Sequence, residues 1–440
     1  MSFPFFTGDD RESLVLAELD VQNRDISDAD RARKYAKMAK SAYRFFRGTA
    51  HLYWRDHWND WRHHRFGGVF DSQTWLQGDA HVYNFGAYGD DRQGVHYGMD
   101  DFDDAFIGDY QYDLWRQAIS MVLDADENAE LSTKKTRRAI RHFLSAYLDT
   151  VEDHADGRSA DDIHVKYIKK PIGPFMREVL AEEGLAEQLA KWTVMKDGQR
   201  VFDTEYKKLA ALSASERSEL LKALAEEYPA TLQPGSIEGR DASHFAVKDV
   251  ARRVNAGTGS LGVARYYALV QGASDSPDDD IILDIKSQQR PSAYPYMSTA
   301  DRRKWRKSFK HEAERHAHAF IALADHADEY LGWLTLGDNH FSVRQRSPYK
   351  EDFPTDDIEG FKEYRRLSRQ WGRILAREHI RGAHALRADD PGCFCRAVTA
   401  LTGDTREAFK QQVVTLAMDY AEQVRRDHAV FLAHRAGHRD

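Results

Sequence analysis

Apolar residues follow three spacing regimes along the chain. Up to about residue 66, and again over 112–150, 176–229 and 359–383, they recur every three or four positions. Examples are Asp28-Ala-Asp-Arg-Ala-Arg-Lys-Tyr-Ala-Lys-Met-Ala-Lys, Leu114-Trp-Arg-Gln-Ala-Ile-Ser-Met-Val-Leu and Ser218-Glu-Leu-Leu-Lys-Ala-Leu-Ala-Glu-Glu. This spacing predicts helices that each bury one stripe. One long helix is expected over 299–330 and a closing helix over roughly 405–435. From residue 245 to 346 the rhythm changes to short β-branched and aromatic runs. Val263-Ala-Arg-Tyr-Tyr-Ala-Leu-Val, Ile281-Ile-Leu-Asp-Ile-Lys286, Leu331-Gly-Trp-Leu-Thr-Leu and Phe341-Ser-Val-Arg-Gln-Arg read as strands, the last two paired across Gly337-Asp-Asn. The third regime, residues 67–111, sets strand-like runs at 67–77 and 95–99 among loops dense in carboxylates, amides and glycines.

These regimes predict an α+β fold in four segments. An N-terminal helical segment (1–66) precedes a helical lobe (67–229). Pro229-Ala-Thr-Leu-Gln-Pro-Gly-Ser-Ile-Glu-Gly-Arg-Asp has no periodicity and reads as a linker. A β-rich lobe (242–347) follows, and helices over 355–440 complete the chain.

Composition narrows the class. The 440 residues are 42% apolar and 30% charged, enough for a substantial core. A net charge of −8 argues against a general nucleic-acid surface, so no nucleic-acid partner is expected. The only cysteines, Cys393 and Cys395, exclude a disulfide framework and suggest a reducing cytoplasm. Neither a signal peptide nor a membrane span is expected, because no apolar window approaches roughly 18 residues. His51, His57, His63 and His64 lack Cys or Glu at ligand spacing and read as core or surface residues.

The third regime carries the chemistry. Asp79 and Asn84 lie five apart in Gly78-Asp-Ala-His-Val-Tyr-Asn-Phe-Gly86, and Asp101 opens Asp101-Phe-Asp-Asp-Ala beyond a hairpin. Phosphoryl-transfer enzymes use such a set: one Asp orients the acceptor hydroxyl, while an Asn and a second Asp hold Mg²⁺ on the nucleotide. Asp103 either assists the metal or faces solvent. Asp113, opening a helix, reads as the residue that holds these loops. Arg47 reads as the end of a core helix or as a phosphate contact.

Downstream, Gly257, Gly259, Ser260 and Gly262 form a Gly-x-Gly-x-x-Gly run, a weak signal alone. A strand follows it instead of the helix of a dinucleotide site, which suggests a hairpin over phosphates. Lys286 ends the strand where a nucleotide-binding lysine would stand, or else caps an exposed strand end. Glu312 and Glu314 are candidates to fix Lys286 by an ion pair, and Glu314 is the favoured one.

Together with Phe45-Phe-Arg-Gly, Tyr112-Asp-Leu-Trp-Arg, Val343-Arg-Gln345 and Leu375-Ala-Arg-Glu-His379, these blocks resemble the bacterial DUF2252 family, grouped with the protein-kinase-like fold. Gly-Asp-x4-Asn and the later Asp-Phe are also similar to aminoglycoside phosphotransferases and choline kinases. The resemblance implies a bilobed kinase-like enzyme using ATP and Mg²⁺ on a hydroxyl-bearing substrate, small molecule or protein, that it does not name. It implies Asp79 as the catalytic residue, Asn84, Asp101 and Asp103 at the metal, and Gly257 to Gly262 with Lys286 on the nucleotide. The glycine run and lysine follow the catalytic loop instead of preceding it, so a circular permutation is expected. The helix bearing Leu375 to His379 would then return to the catalytic lobe. Gln77 departs from the His that many such enzymes place before Gly-Asp. A nucleotide-binding pseudokinase and an AMP-transferase remain as alternatives. So does a metal-dependent phosphoesterase, suggested by Gly78-Asp-Ala-His and Gly337-Asp-Asn-His.

Overall fold

The computed structural model describes residues 9–90, 94–158, 160, 169–234, 245–254, 262–324 and 327–437, and the fold is α+β. Four helices open it: α1 (Asp9–Asn23), α2 (Asp28–Met38), α3 (Ala42–Gly48) and α4 (Ala50–His57). Ser27 and Ser41 accept first-turn N–H groups of α2 and α3, satisfying donors that a helix start leaves unpaired. The aromatic run here is core: Tyr43, Phe45, Phe46, Tyr53 and Trp54 are all buried.

Next come β1 (Gln73–Leu76), the hairpin β2 (Phe85–Asp90) and β3 (Gly94–Met99), and β4 (Phe106–Asp109), which pairs back onto β1. The strand expected over 67–77 is confined to its end. Asp109 accepts hydrogen bonds from Gly68 N (2.7 Å) and Ser72 Oγ (2.8 Å), folding the preceding residues into a turn.

Helices α5 (Gln111–Glu127), α6 (Thr133–Asp153), α7 (Ile172–Glu182) and α8 (Leu185–Trp192) follow. The helical run expected to continue to residue 229 breaks there. β5 (Thr193–Lys196) and β6 (Gln199–Phe202) form a hairpin closed by Asp197 and Gly198, both at positive φ. A two-residue Asp-Gly turn between β-branched positions is a strong hairpin signal. β7 (Leu209–Ala210) and α9 (Ala214–Glu226) lead onward.

β7 pairs with β8 (Val247–Arg253). The sheet continues through β9 (Arg265–Val270) and β10 (Ile281–Ser287), and after α10 (Thr299–Ser308) and α11 (Glu312–Leu323) takes in β11 (Gly332–Leu336) and β12 (Asn339–Gln345). Its antiparallel order is β11-β12-β10-β9-β8-β7. Both faces need cover. Leu220, Leu224 and Tyr228 pack on Val250, Leu283 and Ile285, while Leu189, Trp192 and Phe202 pack on Tyr267, Leu269 and Ile282. The β-rich unit therefore begins near residue 185 rather than 242. The helix expected over 299–330 is two helices, because the His311 side chain accepts from Glu314 N and starts the second.

β13 (Glu351–Asp352) pairs with β2, and α12 (Gly360–Leu386), α13 (Cys393–Thr402) and α14 (Arg406–Gly437) end the chain. One core joins Trp54, Trp115, Tyr147, Trp371 and Tyr420, so the segments expected as 1–66 and 355–440 share it with the loop-bearing region. Among the described residues no helix is long and apolar enough to cross a membrane.

α12 runs close against α6: a Cβ on Gly372 would stand 2.2 Å from the Phe143 carbonyl oxygen. Gly372→Val should therefore destabilise by about 1–3 kcal/mol through overpacking, measured as a lower denaturant midpoint. An unchanged midpoint would contradict the close packing.

Candidate functional site

The loop after β1 is shaped by a carboxylate without solvent access. Asp113, in the first turn of α5, accepts hydrogen bonds from Gln77 N (2.6 Å) and Gly78 N (3.0 Å). His379 of α12 lies behind it, Nε2 3.2 Å from Asp113 Oδ2 and Nδ1 2.7 Å from the Tyr147 hydroxyl. Asp113 thus holds the loop as its position suggests, and the Leu375-to-His379 helix packs beneath it. Gly78 has φ +83°, and a Cβ there would meet the Asp104 carbonyl at 2.0 Å, so only glycine lets the two loops touch. Gln77 ties them further: its Oε1 accepts from Asp79 N (2.9 Å) and its Nε2 donates to Asp101 O (2.5 Å).

Asp79 receives the Arg116 guanidinium (Nε–Oδ1 2.6 Å). Arg116 is fully buried over the rings of Phe46 and Tyr53, at 4.3 and 5.1 Å. Burial pushes the Asp79 carboxyl up to about 7 against the pull of Arg116, with Asp104 and Asp101 adding to the rise. Asn84 is buried, and its Nδ2 donates to the Asp79 carbonyl at 3.0 Å. His81 is buried 3.9 Å from Asp79, and Arg47 lies over the Tyr83 ring.

The acidic turn 101–104 meets the sheet. Lys286 on β10 forms an ion pair and hydrogen bond with Asp103, and Gln288 Nε2 donates to Asp103 Oδ1 at 2.9 Å. The expected partner was Glu314, and it is not the one found. Glu314 spends its backbone N–H on the His311 ring, while Glu312 accepts from Arg315 Nε at 2.9 Å. The Lys286 strand points at the turn between β3 and β4, and Asp103 projects up to meet it. Burial opposes both charges, yet the pairing holds Asp103 well below the usual carboxylate range and raises Lys286. Among the described residues, Asp101 Oδ1 accepts only a long 3.4 Å contact, from Asp103 N.

Arg315 pins this turn in place. Fully buried, it donates to the carbonyls of Ala105 (2.6 Å), Asp103 (2.7 Å) and Gln289 (3.2 Å). Sequence alone does not single it out, since an arginine following two glutamates reads as a solvated helix face. Its one signal is its place beside Ala313, His316 and Ala317, the buried stripe of α11. Arg116 ends the Tyr112-Asp-Leu-Trp-Arg run, and its link to Asp79 is not readable from spacing.

Asp79, Asp101, Asp103, Gly262 and Lys286 line one cleft of about 860 Å³. Asn84 lies beneath the loop, and Glu314 is outside the cleft lining. Gly257, Gly259 and Ser260 fall outside the described residues. A second cleft of about 610 Å³ adjoins further along the same face of β10, where Asp284 pairs with Arg265 (Nε–Oδ1 2.6 Å). Among the described residues no three acids, histidines or cysteines already converge as a metal site. The donor set nevertheless suits Mg²⁺, which takes one or two carboxylates and completes its shell with water and substrate phosphates. Burial raises Asp79 and Asp104, with neighbouring carboxylates adding to the rise, and a cation would relieve that crowding.

Arg315→Met should cost about 3 kcal/mol or more, because it strands buried carbonyls and Glu312, and should speed hydrogen exchange across 101–105. Unaltered stability and exchange would contradict the pinning role. Asp79 binds its proton more tightly folded than unfolded, so its contribution is full below about pH 4 and lost as pH rises to about 7. Asp79→Asn should therefore gain roughly 2–4 kcal/mol on the wild type between pH 4 and 8, read by denaturation at each pH. A constant difference across that range would count against the raised Asp79.

No curated protein and no solved structure matches the chain. The family described as "Uncharacterized protein conserved in bacteria (DUF2252)" matches residues 28–434. With nearly its whole length matched, the chain belongs to the DUF2252 family.

Proposed function

We propose that this chain is an ATP- and Mg²⁺-dependent phosphotransferase of circularly permuted, bilobed kinase-like architecture, acting on a hydroxyl. The observation that carries the reading is the Lys286–Asp103 pair. It brings a strand lysine onto an acidic turn 183 residues away in sequence, in the cleft that also holds Asp79. The order along the chain supports it: β8, the glycine run of the sequence, β9, the lysine strand β10, α10 and then α11. Protein kinases likewise follow a glycine-rich loop with a lysine strand and then a helix.

In this reading Asp101 would hold Mg²⁺, which neutralises phosphate charge when bound, while Asn84, outside the cleft lining, braces the Asp79 carbonyl. Lys286 would contact the phosphates, and Asp103 keeps it charged and aimed. Gly262 would lie over them. Asp79 faces the acceptor hydroxyl and takes its proton. A carboxyl pushed up to about 7 is well matched to that task near neutral pH. Arg116 and Gln77 keep Asp79 in one orientation.

The phosphoesterase alternative has one observation behind it: Asp338, Asn339 and His340 line the same cleft. His340, however, accepts from Glu312 N at 3.0 Å and stacks on His311 at 3.9 Å, so it serves as a cap rather than a metal ligand.

Calorimetric titration of Mg²⁺–ATP should show binding that falls tenfold or more in Lys286→Met and in Asp101→Asn. Absence of binding to folded wild type would remove the kinase reading. Release of ADP on turnover indicates phosphate transfer, whereas pyrophosphate release indicates AMP transfer.

A further inference from the structure

The cleft wall carries cations that the nucleotide reading leaves unused, with Asp25 and Glu312 as acids among them. Lys34 of α2 lines it and is buried, 9% exposed. Its ammonium donates to Asn23 Oδ1 at 2.7 Å, and among the described residues no carboxylate lies within 4 Å. A buried ammonium with one neutral partner is costly to hold charged, and burial lowers it to about 8. Nearby carboxylates do not explain it, because Asp103 is taken by Lys286 and Asp79 by Arg116.

A second observation points the same way. α10 anchors one side through Trp305, which packs on Phe309 and Tyr294 at 4.8 and 6.0 Å. The rest of its surface carries Arg302, Arg303, Lys304, Arg306 and Lys307 against the single acid Asp301. None of these five cations, nor Lys310, has an ion-pair partner among the described residues. Arg306 and Lys310 line the cleft mouth. On a chain of net charge −8, such a run beside a site entrance attracts anions and speeds their encounter. The α1–α2 turn forms the same wall as Lys34 and reaches the glycine segment: a Cβ on Gly262 would meet Ile26 at 2.9 Å.

We propose that the hydroxyl acceptor itself carries a phosphate group, bound by the Lys34 ammonium while Asp79 faces the hydroxyl, with Arg306 and Lys310 guiding it in. This rests on the phosphotransferase reading. The Oγ or sugar-type hydroxyl oxygen bonds to the γ-phosphorus, the bond to the β–γ bridging oxygen breaks, ADP leaves, and the hydroxyl proton passes to Asp79. The acceptor's own phosphate takes no part.

The test separates the two claims. A non-hydrolysable ATP analogue with Mg²⁺ is titrated first, then inorganic phosphate into the saturated protein, so that the γ-phosphate position is filled. The inference expects phosphate binding in wild type, weakened tenfold or more in Lys34→Met, kept in Lys34→Arg and weakened severalfold in Arg306→Glu/Lys310→Glu. Analogue binding without phosphate binding, or equal phosphate affinity in wild type and Lys34→Met, overturns it and leaves the phosphotransferase reading standing. If Lys34→Met fails to fold, the exposed double variant decides, and unchanged phosphate affinity there overturns the inference. Failure of the analogue to bind at all overturns the phosphotransferase reading and this assignment with it. Glycerol phosphate and a phosphoserine peptide as added acceptors then distinguish a small metabolite from a polypeptide source.

Discussion

The site depends first on Asp113, a carboxylate with no access to water. It takes the two backbone N–H groups at which β1 turns into the loop, and behind it stand His379 and Tyr147 from helices far away in sequence. A buried carboxylate is stable only when its oxygens are hydrogen-bonded. The Asp113 requirement therefore fixes where the loop begins, how α5 starts and how close α12 must come. α12 meets that demand along its length: Thr74 Oγ1 donates to the His379 carbonyl and Met99 N to Glu378. The C-terminal helices are in this sense part of the site, although they contribute nothing to the cleft surface.

A second layer is electrostatic. Four aspartates, at 79, 101, 103 and 104, crowd one cleft, and each has a different environment. Asp79 is held by a buried arginine, Asp103 by Lys286, and Asp104 by Ser292 N at 2.6 Å. Asp101 is the least engaged, its carboxylate facing the cleft with one long contact. Two buried arginines, Arg116 and Arg315, keep this negative charge from driving the loops apart. They do so from opposite sides, one under the 77–84 loop and one across to the sheet.

Much of this was legible in the sequence, and the limits have physical causes. The helical regions, the β2–β3 hairpin, the Gly337 turn and the loop-holding role of Asp113 follow from local spacing and turn chemistry. The hairpin at 193–202 was hidden because Thr193 to Phe202 sits inside a long helical pattern, although Asp197-Gly198 is a turn signal. Residues 185–232 join the sheet because its faces need cover, a tertiary demand that no local window shows. Glu314 gave way to Asp103 because a carboxylate in a loop, free of helical direction, can rise to a strand lysine. Arg116 and Arg315 look like ordinary surface cations until their burial is known.

The central claim is that the Lys286–Asp103 contact marks the place of a nucleotide's phosphates. A crystal structure of the full chain with Mg²⁺ and a non-hydrolysable ATP analogue tests it most directly. The account predicts phosphate density between Lys286 and the Asp101 side of the cleft, with Asp79 facing open space beside the terminal phosphate. Nucleotide bound away from Lys286, or a cleft empty of nucleotide at saturating concentration, would contradict it.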